Sequence, residues 1–341
     1  MKVFIIDTIN NIPGHKQFQD FSKYLVKKNV KVVHFSTNNV ENFEGVEVVY
    51  WGMNFKIKSF FIFFHKFLKE KPDVVISTFR GNLFADFFSY FFKFRYYPFF
   101  RSDFYNQKWI NKIKFRRVEK FIVLSKPMVP RIENMFPHLK NKIYVMFNSF
   151  DFNKISFIKK EDIILHVGGV SFNSEGKLIK GTDVLIQAFT NLKKENNFLS
   201  NYKLIVVGSG EGLKEVKNST LSQDIIFTGK LSNLEVHKLM LKAKLFVLPS
   251  RNDAFPNVLL EAMQHSCCLI GTFGTGSQDV IEESDYGYLV EKENVEDLEI
   301  AIRKGVINYK SSDLCWQAHQ NKINYYSREN WINEMYKIIS N

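Results

Sequence analysis

Short apolar runs alternate with amphipathic stretches along nearly the whole chain. Residues 3–7, 31–35, 46–50 and 73–77 are runs rich in Val, Ile and Phe, the pattern of strands buried on both faces of a parallel sheet. Between them, Phe18, Phe21, Tyr24 and Leu25 recur at helical spacing, and residues 56–70 predict a helix rich in Phe and Lys. Residues 83–100 run into a strand near 97–101, and 121–124 and 143–147 complete the series. A second series begins at residue 163. Strands over 163–169, 203–207, 225–229, 245–249, 268–271 and 287–290 alternate with helices opening near 180–183, 234 and 256 and with another over 294–306. The tail, 312–340, is helical by pattern. Strand–helix alternation of this kind predicts an α/β fold with doubly wound parallel sheets.

A length of 341 residues suits two domains of ordinary size. The break falls in the polar, lysine-bearing stretch 153–162, giving domains over 1–155 and 156–320 and a terminal helix over 321–341. The two halves differ in composition. Residues 1–160 hold 28 Lys and Arg against 12 Asp and Glu, a net +16, whereas residues 161–341 carry −4. Of 35 phenylalanines, 28 fall in the first 160 residues. As core, these rings simply fill a domain. As surface, the mixture of Lys, Arg, Phe and Tyr over 55–117 suits an interfacial helix on anionic lipid, the reading preferred here. No recognition motif supports nucleic acid as partner. No apolar run approaches the roughly 18 residues of a membrane span, and the opening MKVFIIDTIN reads as a strand rather than a leader. Three cysteines, two of them adjacent, fit buried thiols in a reducing cytoplasm.

The candidate chemistry centres on residues 248–263. A strand ends at Pro249, a loop follows, and Pro256 suits the opening of a helix whose apolar face is Val258, Leu259, Ala262 and Met263. A helix start offers N–H groups and partial positive charge to an anion. Asp253 lies before it and Glu261 about 7.5 Å along its axis at 1.5 Å per residue. An anion site flanked by acids suits a diphosphate joined to hydroxyl-rich groups. Gly208–Gly212 lacks the G-x-G-x-x-G spacing and sits mid-chain, which argues against a nicotinamide or flavin site.

The stretch from Asp253 to Glu261 (DAFPNVLLE) resembles the signature of the retaining, nucleotide-sugar-dependent glycosyltransferases of family 4. That signature has two acids eight positions apart, normally both Glu. The resemblance covers most of 143–310. It includes the turn 148–151, Lys180-Gly181, the Gly-x-Gly at 208–210 and the loop 274–279. It implies a GT-B fold: two Rossmann-like domains facing a cleft, the first for acceptor and the second for nucleotide sugar, with the last helix crossing back to the first domain.

The resemblance also implies roles. Lys180 neutralises the donor diphosphate, Glu261 hydrogen-bonds the ribose, and Asp253 holds hydroxyls of the transferred sugar. The backbone at Asn257, Val258 and Leu259 meets the diphosphate, and Gly168 and Gly276 border the donor. Gly14 suits close approach of a phosphate at the first strand–helix turn. Each has a plainer reading: a helix-face glutamate, a solvated lysine, a flexible glycine turn. The chain departs from the family pattern at three places. Asp253 and Asp279 stand for Glu, and Gly169 stands where an Arg is usual. Arg251 is the expected substitute for that missing cation. The family's usual acceptor-side His is absent, which makes Asp103 the nearest candidate for acceptor contact.

The expected activity is transfer of a hexose, with retention, from a nucleoside-diphosphate sugar to a hydroxyl of a glycan or lipid-linked acceptor, in cell-surface polysaccharide or glycolipid synthesis. The expected location is the cytoplasm, peripheral on the inner face of the cytoplasmic membrane. No His, Asp or Cys cluster suggests a metal, and none is expected to be required. The alternative is a catalytically silent GT-B protein that binds sugar nucleotide or scaffolds a membrane assembly.

Overall fold

The computed structural model describes residues 1–7, 14–37, 41–52, 57–78, 81–101, 115–153, 158–195, 198–218, 220, 222–281 and 284–341. The chain forms two compact units, one of Met1–Ser149 with Arg328–Asn341 and one of Phe150–Ser327. The first unit thus ends six residues before the expected boundary at 155, and the return to it begins at Arg328 rather than 321.

In the first unit, β1 (Lys2–Ile6), α1 (Gly14–Lys27), β2 (Lys31–Ser36), β3 (Glu47–Tyr50), α2 (Ile57–Glu70), β4 (Val74–Thr78), α3 (Gly81–Ser89) and β5 (Arg95–Phe100) lead to β6 (Phe121–Val123), α4 (Val129–Met135) and β7 (Ile143–Val145). The seven strands are ordered β3-β2-β1-β4-β5-β6-β7, and every adjacent pair is parallel. Val3, Phe4, Ile5 and Ile6 are fully buried, as expected of a strand covered on both faces. On one face, Phe4 packs edge-on against Phe35 and Phe67, and Phe35 stacks on Phe63 at 4.5 Å between centroids. On the other, α1 buries Phe18, Phe21 and Leu25 beside Val3, Ile5 and Ile76.

The second unit runs β8 (Glu161–Val167), α5 (Thr182–Lys194), β9 (Lys203–Val207), α6 (Leu213–Asn218), β10 (Ile225–Gly229), α7 (Asn233–Lys242), β11 (Ala243–Val247), α8 (Asn257–Gln264), β12 (Cys268–Thr272), α9 (Ser277–Val280), β13 (Gly287–Val290), α10 (Val295–Asn308), α11 (Ser312–Ala318) and α12 (Gln320–Tyr325). Its six parallel strands are ordered β10-β9-β8-β11-β12-β13. The core is mostly aliphatic, with Ile164, Leu185, Leu204, Leu245, Ile270 and Ile302 at its centre. Cys267, Cys268 and Cys315 are buried and unbridged.

The chain then re-enters the first unit as α13 (Arg328–Ser340). Trp331 packs edge-on against Phe18 and Phe21, and the Tyr144 hydroxyl donates to Glu334 Oε1 at 2.7 Å. The sequence separation is bridged because α1 has an aromatic stripe that α13 covers.

Candidate active site

In a doubly wound sheet the ligand-binding crevice opens where strand order reverses, beyond the C-terminal strand ends. In the second unit that point lies between β8 and β11, the first strand of the unit and its fourth. The segments leaving these two strands carry Lys180 and Asp253, and the structure brings the two together. The Lys180 ammonium is paired with Asp253 Oδ2, with the lysine side chain 27% and the aspartate 11% exposed.

Three glycines and a histidine hold this arrangement. Gly181 precedes α5 in a left-handed conformation (φ +66°), and a Cβ there would stand 2.0 Å from the Pro249 carbonyl oxygen. It therefore lets the start of α5 abut the exit of β11. The cap residue is Gly181, and no side chain caps the helix. Gly168 lies under the Lys180 stem, where a Cβ would be 3.0 Å from the lysine Cγ. Gly276 donates its N–H to the Asp253 carbonyl (2.8 Å), and a Cβ on it would meet Ala254 O at 2.4 Å. His166 is buried. Its Nδ1 donates to the Val247 carbonyl (2.9 Å) and its Nε2 accepts from the Thr182 hydroxyl (3.1 Å), which ties β8 to β11 and to α5. Burial lowers its pKa to about 4, which keeps the ring neutral.

Arg251 is held by acidic partners of its own unit. Its Nη1 and Nη2 form a bidentate pair with Asp183 (2.8 and 2.7 Å), Nη1 also donates to the Leu178 carbonyl (2.6 Å), and Nε donates to Glu293 (2.8 Å). Four hydrogen bonds to one carbonyl and two carboxylates commit this guanidinium to fastening α5 and the 293 turn. Arg251 and Lys177 together pull Glu293 down to about 2. Arg251 thus stands paired with Asp183 and Glu293 rather than as an unoccupied cation beside Gly169. An added Cβ at Gly169 would meet nothing closer than Ser209 O at 3.9 Å, so the site of the missing side chain is open.

The helix opening also differs in detail. Pro256 is the residue before α8 (φ −80°, ψ 93°) rather than its first member, and Asn257 and Val258 begin the helix. The Leu259 amide donates to the Pro256 carbonyl at 3.0 Å, so it is withdrawn from the set expected to meet an anion.

Glu261 faces partly inward from α8, its side chain 23% exposed, and burial raises its pKa to about 7. His237 of α7 stands with Nε2 3.9 Å from Glu261 Oε2, and His265 Nε2 lies 3.1 Å from His237 Nδ1. Burial lowers His265 to about 4. This chain of two imidazoles and a carboxyl is not legible in the residues alone, since single histidines on and after amphipathic helices carry no spacing signal. Asp279 is buried in α9, its carbonyl accepting from the Tyr326 hydroxyl and the Lys322 ammonium.

In the first unit the strand order reverses between β1 and β4. Asp7, just past β1, accepts from the Thr78 hydroxyl at the end of β4 (2.8 Å), and both are buried. Arg101, just past β5, donates to Asn148 Oδ1 (3.1 Å) and lies over the Phe18 ring. Burial lowers its pKa and the Asp7 carboxylate opposes that. Gly14 is the first residue of α1. Asp103 lies outside the described residues. Among the described residues no group of three or more His, Cys, Asp or Glu is placed to hold a metal ion.

A family model described as glycosyl transferases group 1 matches residues 147–329, more than half of the chain. The chain belongs to this family. Among curated proteins, this group 1 chain is 26% identical over 222 residues to the N-acetylgalactosamine-N,N'-diacetylbacillosaminyl-diphospho-undecaprenol 4-alpha-N-acetylgalactosaminyltransferase of Campylobacter jejuni, covering 63% of this chain and 57% of that protein. It is 29% identical over 165 residues to the N-acetyl-alpha-D-glucosaminyl L-malate synthase of Bacillus anthracis, covering 47% and 40%. The alignments thus span about half the length of the curated relatives. Among solved structures, the lipopolysaccharide outer core galactosyltransferase WaaB matches with a TM-score of 0.77 at 17% identity, over 100% of this chain and 99% of that one. Anabaena HepE in complex with UDP matches with a TM-score of 0.78 at 13% identity, over 100% of both. At such identities the likeness shows the fold alone. The group 1 chain has the GT-B fold, two α/β units with parallel sheets of seven and six strands.

Proposed function

We propose that this group 1 protein is a retaining glycosyltransferase of family 4 that moves a hexose from a nucleoside-diphosphate sugar to a hydroxyl of a glycan or lipid-linked acceptor. The observation that carries the reading is the pairing of Lys180 with Asp253 at the strand-order reversal of the second unit. A donor diphosphate recruits the Lys180 ammonium and releases Asp253, whose carboxylate then accepts hydrogen bonds from sugar hydroxyls. Glu261, from the same helix that opens beside Asp253, accepts from the ribose. Relatives support the direction of the reading. The Campylobacter protein's name describes a diphospho-undecaprenol acceptor, and Anabaena HepE has been solved with UDP-glucose.

In the reaction, the bond from the anomeric carbon to the diphosphate oxygen breaks and a bond to the acceptor oxygen forms on the same face. The acceptor's proton passes to the departing phosphate oxygen, and a nucleoside diphosphate leaves. With Asp253 and Glu261 engaged by the donor, neither acts as the nucleophile that retaining glycosidases use. Catalysis rests on positioning and on charge stabilisation of the leaving diphosphate by Lys180, without a required metal.

The test is release of nucleoside diphosphate from a panel of UDP-, GDP- and ADP-sugars, with and without lipid-extract acceptors. Turnover of one donor is expected, and Lys180→Ala, assayed below its own melting point, should cut kcat by about 10²–10³. Binding of a donor without release from any of them would replace the enzyme with the silent sugar-nucleotide binder.

A further inference from the structure

The outer faces of α2 and α3 carry a ridge of large side chains that no element among the described residues covers. Phe61, Phe64 and Leu68 project from α2, and Phe87, Tyr90 and Phe91 from α3 and the turn after it; Phe61 is 61% and Phe91 68% exposed. The ridge is continuous. Phe60 lies 5.9 Å from Phe61, 6.1 Å from Phe64 and 5.6 Å from Phe87, and Phe87 lies 5.0 Å from Phe91, all between ring centroids. Beneath it Phe63, Phe67, Phe84 and Phe88 fill the core, so the outer rings are surplus to packing.

The exposed charges carried by α2, α3 and the turn that follows α3 are basic. Lys69 and Lys93 are exposed on its flanks, and Arg116 and Arg117 follow on the adjoining turn, with the Arg117 guanidinium 5.3 Å from the Tyr90 ring centre. The acids of these two helices, Glu70 and Asp86, are both buried, and Glu70 is consumed by Lys31 and Lys2. Protruding rings rimmed by cations, with the acids withdrawn, match a surface that offers apolar depth below negative headgroups. Among the described residues no helix is long and apolar enough to cross a membrane, so the contact is a peripheral one.

We propose that the α2–α3 ridge is a docking surface for an anionic lipid bilayer, with the exposed phenylalanines entering the headgroup region and Lys69, Lys93 and Arg117 meeting lipid phosphates. This goes beyond sugar transfer and stands on a different unit from Lys180 and Asp253. The test is flotation of the full chain with vesicles of phosphatidylglycerol and phosphatidylcholine, against vesicles of phosphatidylcholine alone. Binding is expected to the anionic vesicles, weakened by salt. Phe61→Ser with Phe91→Ser should lower partitioning at least about tenfold, and Lys69→Glu with Lys93→Glu should do the same and remove the salt dependence. Both double variants should keep the wild-type melting point and solution release of nucleoside diphosphate, which separates failure of docking from failure of the sugar-transfer reading. Wild-type protein that stays with neither vesicle would overturn the proposal, as would a serine variant that floats like wild type. A wild-type dimer lost in the serine variant, with no vesicle binding, would make the ridge a protein interface instead.

Discussion

The two units share a parallel, doubly wound topology and differ in what fills and borders it. The first is built from rings: Phe4, Phe18, Phe21, Phe35, Phe63, Phe67, Phe88, Phe99 and Phe121 are all fully buried. The second uses Leu, Ile and Val, with Phe189 and Phe246 among its few buried rings. The second also concentrates strained and close-packed backbone near its strand ends. A Cβ on Gly208 (φ +147°) would lie 1.8 Å from Gly168 O, and Gly181 and Gly276 are as tightly placed. One topology thus serves two purposes. In the second unit, backbone proximity fixes a few charged side chains. In the first, side-chain bulk fills the interior and spills onto the surface. The family match over 147–329 falls almost wholly on the former.

The comparison can be broken first at the cores. Phe67 touches the rings of Phe4, Phe88, Phe92 and Phe94, and Phe67→Ala should cost about 3–5 kcal/mol of first-unit stability. Denaturant unfolding should show that transition moving to lower denaturant while the second unit's own transition stays in place. A single transition that shifts as a whole would show that the units do not unfold separately.

The next effect is electrostatic and belongs to the second unit. Burial lifts Glu261 from 4.5 to about 7, so the folded chain holds a proton there that the unfolded chain releases. Below pH 4.5 both states are protonated and the group is neutral in its effect. Between about 4.5 and 7 stability falls as pH rises, by roughly 3 kcal/mol at 1.36 kcal/mol per pKa unit. Glu261→Gln should therefore melt higher than wild type at pH 8 and at the same temperature near pH 4. Equal melting points at pH 8 would mean that the carboxylate is well solvated.

The smallest effect tests the missing cation. Gly169→Arg has room at its Cβ, and a second positive charge at the diphosphate should tighten nucleotide binding about tenfold, or ~1.4 kcal/mol. Calorimetric titration with UDP, GDP and ADP checks this. Unchanged affinity would place residue 169 away from the anion.

Much of this was legible in the residues. Strands buried on both faces announce themselves as unbroken apolar runs, and the pairing of Lys180 with Asp253 joins two motifs found 73 positions apart. What was not legible has physical causes. α4 is short and opens on Val129-Pro130, so it lacks a full period of pattern. The partners of Arg251 come from three separate segments, and nothing local distinguishes a guanidinium bound to Asp183 and Glu293 from one awaiting a ligand. His166 reads as an ordinary strand residue, because its role depends on a carbonyl of β11 some 80 residues away in sequence, at Val247. The division after Ser149 differs from the one that linker composition suggests for a similar reason. Phe150 forms a parallel bridge with Ser327, an association across the chain that linker composition does not encode.

The Lys180–Asp253 pair has a further consequence, for discrimination among anions. The ammonium already has a resident counter-ion, so a newcomer must displace the carboxylate rather than fill an empty positive site. Inorganic phosphate or a bare diphosphate strands Asp253 at 11% exposure without a partner. On the proposed reading, a nucleotide sugar would exchange partners completely, its phosphates taking the lysine and its hydroxyls satisfying the aspartate. The pair would then act as a gate that opens fully only to a ligand carrying both chemistries at once. Such a site would stay unclogged in a phosphate-rich solution, and a nucleoside diphosphate stripped of its sugar would be a poorer occupant than the donor it came from.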